Sequence, residues 1–519
     1  MVIRTLILDD KIDCRELFSE ILEEEGHEVH CVKNLTEARD HLGRHDFHLA
    51  VIDILLENGE EGLELLEDIS DINQGNSFCG PLVFTNYASK ERAIDALQQG
   101  AFDFREKPED FIVSKLGIEN RGFVDQELKT AARKIIKQVL FERNRKYNQR
   151  KYTLCFHLAQ NNKTTAELSG PTGFSMESTN PLKINIDDFA NRADDLQFHF
   201  KANDEQERLK WRTRASNIRG SLYNQLFAND AEMSSCLTTA RERSKQNSLH
   251  FVFSGSQDLI RLPLELLPGE AGYLIVENPL VRRITGVKTI RNRGIDSTFF
   301  ENTSPVKVLL IGSNTYPPIG GVDEEISQLQ NQLQSLFLSR GLDCDIHTIP
   351  TEEASRKNVC AHLEKCQYHI VHYAGHGFHH EKNTDESGLY FWEKPNKSGE
   401  VQPLPIRVLR NLLKNSDTRF FYLSCCVGAK TVTEAKIKLS GDDFQGIMEG
   451  LVRVGIPGVL GYRWNVWDVE AKQFATAFYK SLLTDLSLDI ATFKARRALQ
   501  EEKYYNETWI SPVLVNQNS

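Results

Sequence analysis

The chain lacks long hydrophobic runs. No apolar stretch of its 519 residues approaches the roughly 20 residues that a membrane-spanning helix needs, and its mean hydropathy is −0.41. The N-terminal segment MVIRTLILDDK reaches acidic residues at once, and it contains neither the apolar core nor the cleavage site of a secretory signal. We therefore expect no membrane partner and a cytoplasmic location.

Cysteines at the spacing of metal ligands are also missing. The ten cysteines are dispersed, with no C-x-x-C pair and no histidine-rich partner spacing, so the sequence does not predict a zinc site. A long acidic chain without a secretory signal keeps its thiols reduced. Most of these cysteines are expected to be small buried apolar residues.

The chain has no excess of positive charge. Its 62 Lys and Arg are outnumbered by 73 Asp and Glu, which gives a formal net charge of −11. Proteins that bind nucleic acid through bulk electrostatics are basic, so we expect no nucleic-acid partner. The length exceeds that of one ordinary core, and two to four α/β domains are expected.

Residues 1–119 alternate short apolar strands with amphipathic helices, which predicts a doubly wound parallel sheet covered by helices on both faces. Polar residues follow the strands: Asp9 and Asp10 after the first, Asp53 after the third, Thr85 after the fourth and Lys107 after the fifth. Three carboxylates converging at strand ends repel one another unless they surround a hard cation such as Mg²⁺. An aspartate beside that cation could attack a phosphoryl donor.

The motifs LILDDKID, AVIDILLENGEEGLELL, LVFTNYAS and GAFDFREKP resemble the receiver domain of two-component response regulators. The resemblance implies a flavodoxin-like domain over residues 1–122. It also implies that Asp53 is the phosphoacceptor and that Asp9, Asp10 and Asp53 bind Mg²⁺.

By the same resemblance, Thr85, Phe104 and Lys107 are switch residues. A sensor histidine kinase or a phosphotransfer protein is then the expected partner. The alternative is a degenerate receiver that only docks onto other proteins.

Residues 123–151 repeat apolar positions at helical spacing, interleaved with Lys and Arg. We predict a linker helix that carries the output of the receiver, and it is also a candidate seam for a homodimer. Strand-like runs follow at residues 152–158, 249–254 and 273–276.

Two buried-strand patterns near the C-terminal end stop abruptly at small residues. They are YHIVHYAGHGF over residues 368–378 and FFYLSCCVG over residues 420–428. The carboxyl ends of parallel strands expose reactive groups, so His376 and one of the cysteines Cys425 and Cys426 could face each other as a base and a thiol nucleophile. Because adjacent residues of a strand point to opposite sides, only one of the two cysteines can face His376. The backbone N–H groups of Gly377 and Cys426 are the predicted oxyanion donors.

The motifs HYAGHG and YLSCCVGA, with the run GIMEGLVRVGIPGVLGYRWNVWDVEAKQFATAFYKSL, resemble the CHAT group of caspase-like cysteine peptidases, which is related to separases. The resemblance places the nucleophile at Cys426 and implies a catalytic caspase-like part over residues 301–519. A Pro-x-Glu-Leu-Leu segment at residues 263–267 also resembles that group. It implies an inactive caspase-like half over residues 152–300.

The sequence thus predicts a cysteine endopeptidase that cleaves a protein substrate under control of phosphorylation at Asp53. Phosphorylation could activate or inhibit it. One alternative is a non-catalytic receiver–scaffold protein whose caspase-like domain binds a partner. A weaker one is an acyltransferase that uses the same thiol ester.

Overall fold

The computed structural model describes residues 2–75, 77–86, 88–108, 118–158, 163–178, 182–196, 205–245, 248–287, 294–316, 318–378, 380, 383–426, 442–464, 466, 468–502 and 507–518. The chain divides into two compact units. The first comprises residues 1–148 with 334–343 and 483–485, and the second comprises residues 149–333, 344–482 and 486–519.

The first unit contains a five-stranded sheet in the order β2-β1-β3-β4-β5, in which every pair is parallel. This is the flavodoxin-like strand order, and it confirms the predicted doubly wound receiver fold. Its elements are β1 (Ile3–Leu8), α1 (Ile12–Glu24), β2 (His27–Val32), α2 (Leu35–Arg44), β3 (Leu49–Ile52), α3 (Leu65–Gln74), β4 (Gly80–Thr85), α4 (Lys90–Gln98), β5 (Asp103–Glu106) and α5 (Ile118–Arg150).

Helix α5 differs from the predicted linker over residues 123–151. It is one 33-residue helix, and its apolar positions belong to the same buried cluster as strand residues Leu82 and Phe84. A Cβ added at Gly80 of β4 would lie 2.3 Å from Cγ2 of Ile135 in α5, so the glycine permits the close approach. This helix therefore packs in the core of the first unit.

The second unit is built on one mixed sheet. Its elements are β6 (Tyr152–Leu158), β7 (Lys163–Ser169), β8 (Ser175–Glu177), β9 (Leu182–Lys183), α6 (Ile186–Asp194), α7 (Glu205–Tyr223), α8 (Ala231–Arg243), β10 (Leu249–Gly255), α9 (Leu274–Glu277), β11 (Leu280–Ile284), α10 (Ser297–Asn302), β12 (Val306–Ser313), α11 (Val322–Ser339), β13 (Cys344–Ile349), α12 (Arg356–Lys365), β14 (Ile370–Phe378), β15 (Gly388–Lys394), β16 (Ser398–Pro405), α13 (Ile406–Leu413), β17 (Phe420–Cys426), α14 (Asp442–Val454), β18 (Gly458–Tyr462), α15 (Asp468–Asp485), α16 (Leu488–Glu501) and β19 (Pro512–Asn516). The last residues of α11 and α15 are counted with the first unit.

The sheet runs in the order β13-β12-β14-β17-β18-β19-β11-β10-β6-β7-β8. Strands from the predicted inactive half (β6, β10 and β11) are parallel to one another, and so are β12, β13, β14, β17 and β18. Strand β19 joins the two sets, because it pairs with β18 on one side and β11 on the other. The two predicted halves therefore share one continuous sheet.

The prediction of a strand at residues 273–276 is wrong. Residues Leu274–Glu277 form a short helix whose first N–H donates to the carbonyl of Leu267. A short buried apolar run has no periodicity that separates helix from strand.

Among the described residues, no helix is both long and apolar enough to cross a bilayer.

The Pro-x-Glu-Leu-Leu segment carries a buried charge cluster. Both carboxylate oxygens of Glu265 accept hydrogen bonds from Arg282, at 2.5 and 2.9 Å, and Arg463 and Arg496 lie within 3.8 and 3.9 Å. Burial alone would raise the pKa of Glu265, but the charges of the three arginines outweigh it and hold the pKa below its usual range. This ion cluster ties the segment to β11, to the end of β18 and to α16.

Candidate functional site

The first candidate site lies at the carboxyl ends of β1, β3 and β5. Asp9 directly follows β1, Asp53 follows β3 and Lys107 follows β5. The ammonium of Lys107 donates to Oδ2 of Asp9 and to Oδ2 of Asp53, each at 2.7 Å, and all three side chains are buried. The parallel sheet thus brings together residues that lie far apart in the sequence.

The electrostatics of this pocket reflect burial and pairing. Burial raises the pKa of Asp9, against the opposing charge of Lys107. Burial alone would lower the pKa of Lys107, but the carboxylates of Asp9 and Asp53 outweigh it and raise the pKa. The lysine therefore stays charged and balances the acidic residues.

The pocket has the donor set of an oxygen-preferring cation. Carboxylate oxygens of Asp9, Asp10 and Asp53 lie within 4.8 Å of one another. Oδ1 of Asp10 and Oδ1 of Asp53 are buried without a hydrogen-bond partner among the described residues. These orphaned oxygens fit Mg²⁺, which binds carboxylates and keeps several waters.

Besides Lys107, the predicted switch residues are Thr85 at the end of β4 and Phe104 in β5. Thr85 is fully buried at the end of β4, and its carbonyl accepts from the N–H of Lys107 at 2.8 Å. Phe104 in β5 is partly buried against the apolar cluster on one side of the sheet. Their switching roles stay predictions.

The second candidate site lies where β14 and β17 end. These strands are parallel neighbours, and their register pairs His376 with Cys426 and Gly375 with Cys425. His376 is buried. Cys426 is the last residue of β17; its side chain, like residues 427–441, lies outside the described part of the chain.

Cys425 faces away from His376. Its sulfur would lie 3.6 Å from a Cβ added at Gly377, and its charge would act on Tyr373. Tyr373 and Gly377 occupy odd positions of β14, which point to the side opposite His376. Cys425 therefore lies on the side of the sheet opposite His376, and it is buried.

A buried hydrogen-bond network supports both strands from α11. Glu325 bonds to Nε2 of His372 through Oε1 at 3.0 Å, and it accepts from the hydroxyl of Ser424 through Oε2 at 3.1 Å. His372 and Ser424 precede the register pair by four and two residues. The other nitrogen of His372 lies 3.2 Å from the hydroxyl of Tyr479. Sequence reasoning missed Glu325, although an acid among apolar positions of a helix was a usable signal.

The backbone after His376 is closely packed. The hydroxyl of Tyr373 lies 2.8 Å from the carbonyl oxygen of His376 and 3.0 Å from that of Tyr390, and its one proton donates to either of them. A Cβ added at Gly375 would lie 2.5 Å from the carbonyl oxygen of Ser313, so that position requires glycine. Gly377 pairs with β15, and its role as an oxyanion donor stays a prediction.

Comparison with known families agrees with this architecture. The family model of the response regulator receiver domain matches residues 5–114, and that of the CHAT domain matches residues 218–516, more than half of the chain. The chain belongs to the CHAT-domain family. Its N-terminal part is a receiver domain. The CHAT domain is related to caspase-like peptidases.

Several response regulators resemble the receiver part. PilR of Pseudomonas aeruginosa is 37% identical over 107 residues, which are 21% of this chain and 23% of PilR. A putative NtrX-like response regulator of Rickettsia bellii is 31% identical over 108 residues, 21% of this chain and 22% of the relative. The chain thus spans less than a quarter of the length of these relatives.

Solved receiver domains are similar over a comparable share. A CheY-like receiver from Methanospirillum hungatei is 30% identical and covers 25% of this chain and 99% of its own, with a TM-score of 0.20. The NtrX receiver from Brucella abortus is 27% identical and covers 24% of this chain and 96% of its own, also with a TM-score of 0.20.

Proposed function

We propose that this protein is a cysteine endopeptidase whose CHAT domain is controlled by phosphorylation of its receiver at Asp53. The register of His376 with Cys426 at the ends of two parallel strands is the observation that carries the proposal. It supports a base and a thiol residue lying side by side in the domain that is related to caspase-like peptidases.

The chemistry follows from these two groups. His376 takes the proton of the Cys426 thiol, and the thiolate attacks the carbonyl carbon of a substrate peptide bond. The oxyanion that forms is stabilised by the backbone N–H groups of Gly377 and Cys426. The intermediate collapses, and the C–N bond breaks while the imidazolium returns its proton to the leaving amine. Water, deprotonated by the same imidazole, then hydrolyses the thioester and regenerates the thiol.

In the receiver, a carboxylate oxygen of Asp53 accepts the phosphoryl group from a histidine kinase or a phosphotransfer protein. Mg²⁺ held by Asp9, Asp10 and Asp53 would neutralise phosphoryl charge. Lys107 already contacts Asp9 and Asp53, so its ammonium is placed to contact the new phosphoryl oxygens. Thr85 would bond to the same group.

The response of the peptidase is a population shift between conformations. Coupling between two sites is typically about 1–3 kcal/mol, which corresponds to roughly a 5–150-fold change in the equilibrium. Activation and inhibition are both compatible with this arrangement.

The test is the appearance of new protein termini. Wild-type protein and the Cys426→Ala variant are incubated with proteins encoded beside this chain, and new termini are identified by mass spectrometry. We expect cleavage by the wild type and by a Cys425→Ala control, and none by Cys426→Ala. Binding of a partner without cleavage by any of the three would contradict the peptidase and favour a non-catalytic scaffold.

A further inference from the structure

Three histidines form a cluster on the first unit, away from the acidic residues of the receiver pocket. His30 lies in edge strand β2, His41 lies in the last turn of α2 and His45 directly follows that helix. Each offers a ring nitrogen, and these nitrogens all lie within 4.8 Å of one another. The ring centroids of His30 and His45 are 4.8 Å apart, and those of His30 and His41 are 5.4 Å apart.

The second nitrogen of His30 is held by a carboxylate. Its Nε2 lies 3.2 Å from Oε1 of Glu28, and Glu28 also forms an ion pair with Arg4 at 3.0 Å. A carboxylate at one ring nitrogen fixes the proton there and leaves the lone pair of the other nitrogen for a metal ion. For His30 that other nitrogen is Nδ1, which faces the cluster.

The distance between ring nitrogens in the cluster suits tetrahedral coordination of a metal ion. Nδ1 of His30 lies 3.3 Å from Nδ1 of His41. Zinc–imidazole bonds of about 2.0–2.1 Å at a tetrahedral angle put two ligand nitrogens about 3.3–3.4 Å apart. The ring centroids of His41 and His45 are 5.9 Å apart.

An aromatic residue packs against the inner side of the histidine rings. Phe47 packs edge-to-face against His30 at 5.1 Å and against His45 at 6.1 Å. Phe47 is buried, whereas His30 keeps 18% of its side chain exposed. The cluster is therefore fixed on its inner side and reachable by an ion from solvent.

We propose that His30, His41 and His45 bind a late first-row divalent ion such as Zn²⁺, with water as the fourth ligand. Imidazole nitrogen suits Zn²⁺, Ni²⁺ and Cu²⁺, whereas the carboxylates of the receiver pocket suit Mg²⁺. The two sites on this unit therefore select different classes of metal. A bound ion joins the end of α2 to edge strand β2.

The experiment titrates the full-length, metal-free chain with Zn²⁺, and with Co²⁺ as a spectroscopic probe, in buffer containing excess Mg²⁺ and a thiol-protecting reagent. We expect one equivalent of tightly bound ion, and a tetrahedral Co²⁺ spectrum without the near-ultraviolet charge-transfer band that thiolate ligands add. His41→Ala and His45→Ala should each weaken binding at least about tenfold. Glu28→Gln should weaken it by about 10–100-fold, as is typical for loss of an outer carboxylate.

Two controls separate this site from others on the chain. His157→Ala changes a histidine of the second unit that lies 3.4 Å from Glu167, and it should bind like the wild type. Asp53→Asn alters the acidic pocket and should also leave the titration unchanged. Circular dichroism of the metal-free variants checks folding, and His45→Ala serves if His41→Ala does not fold.

Three results would overturn the proposal. One is that His41→Ala and His45→Ala both bind Zn²⁺ with the affinity of the wild type, which would mean that His30 and His41 share only a hydrogen bond. Another is loss of binding in Asp53→Asn alone. The last is a thiolate charge-transfer band that persists after thiol protection.

Discussion

His376 and Cys426 are register partners at the carboxyl ends of the adjacent parallel strands β14 and β17. Neighbouring strands lie about 4.7–4.9 Å apart, so this register places the two residues within reach of each other. Cys425 pairs with Gly375, and its sulfur lies on the side of Gly377 and Tyr373. We therefore propose Cys426 as the nucleophile and a packing role for Cys425.

Glu325 is predicted to position the strands that carry the register pair. Glu325→Gln weakens the charge-assisted hydrogen bonds to His372 and Ser424, so we expect a loss of about 1–3 kcal/mol in the free energy of unfolding. A small displacement of the strand ends should lower kcat about tenfold or more, with KM little changed. Steady-state kinetics and urea unfolding measure the two effects.

The matched control is Glu324→Gln, on the same helix and exposed. It should resemble the wild type in both measurements. Equal kinetics for the two variants would contradict the positioning role of Glu325, even if Glu325→Gln is less stable.

Glu265 is predicted to stabilise the folded second unit. Glu265→Gln leaves the guanidinium groups of Arg282, Arg463 and Arg496 buried without their counterion, and we expect a loss of about 3–5 kcal/mol in unfolding free energy. Glu270→Gln, which removes an exposed ion pair with Arg241, should cost less than about 1 kcal/mol. Similar unfolding midpoints for the two variants would refute this assignment.

We predict that two buried histidines of the first unit make the folded chain less stable at acidic pH. Burial lowers the pKa of His27 to about 3 and that of His48 to about 2. The unfolded chain takes up these protons near the ordinary pKa of about 6.5, and the folded chain does not, so stability falls as the pH drops below that value. Each group contributes a slope of up to about 1.4 kcal/mol per pH unit.

His27→Gln removes one of these groups. Between pH 6.5 and 4.5, the variant should lose roughly 2–3 kcal/mol less unfolding free energy than the wild type. Urea unfolding at several pH values measures the difference, with His157→Gln, at a histidine whose side chain is 44% exposed, as the control. Parallel pH profiles for His27→Gln and the wild type would exclude the assignment.

Much of the receiver could be predicted from the sequence because its chemistry follows its strands directly. Asp9 and Asp53 each come immediately after a clear apolar strand, Lys107 follows the fifth strand, and a parallel sheet brings such positions to one edge. The predicted linker helix over residues 123–151 lies within a helix that spans Ile118–Arg150. Periodicity identifies the helix but cannot show that its apolar face packs on β4 within the receiver core.

Contacts between segments that are distant in the sequence were harder to predict. Glu325 lies 47 residues from His372 and 99 from Ser424, and no local pattern predicts that they meet. The sequence does not predict the histidine cluster, because its members combine a strand residue with the end of the next helix and include no cysteine. The helix at Leu274–Glu277 was expected as a strand because a four-residue buried run suits either structure.

The receiver is predicted to control peptide cleavage. Beryllofluoride with Mg²⁺, which mimics a phosphoryl group on Asp53, should change the cleavage rate by roughly 5–150-fold in one direction. Asp53→Asn should abolish this response and keep the basal rate. An unchanged rate on every cleaved substrate would show that the two domains are not coupled in this way.

The most direct test of the account is the site of covalent labelling by a thiol-reactive peptidyl probe, read by mass spectrometry of the digested full-length protein. We predict that the label is on Cys426, that it persists in Cys425→Ala and that it falls at least about 100-fold in rate in His376→Ala, because the imidazole generates the thiolate. A label on Cys425, or a labelling rate at Cys426 that does not depend on His376, would contradict the proposed peptidase.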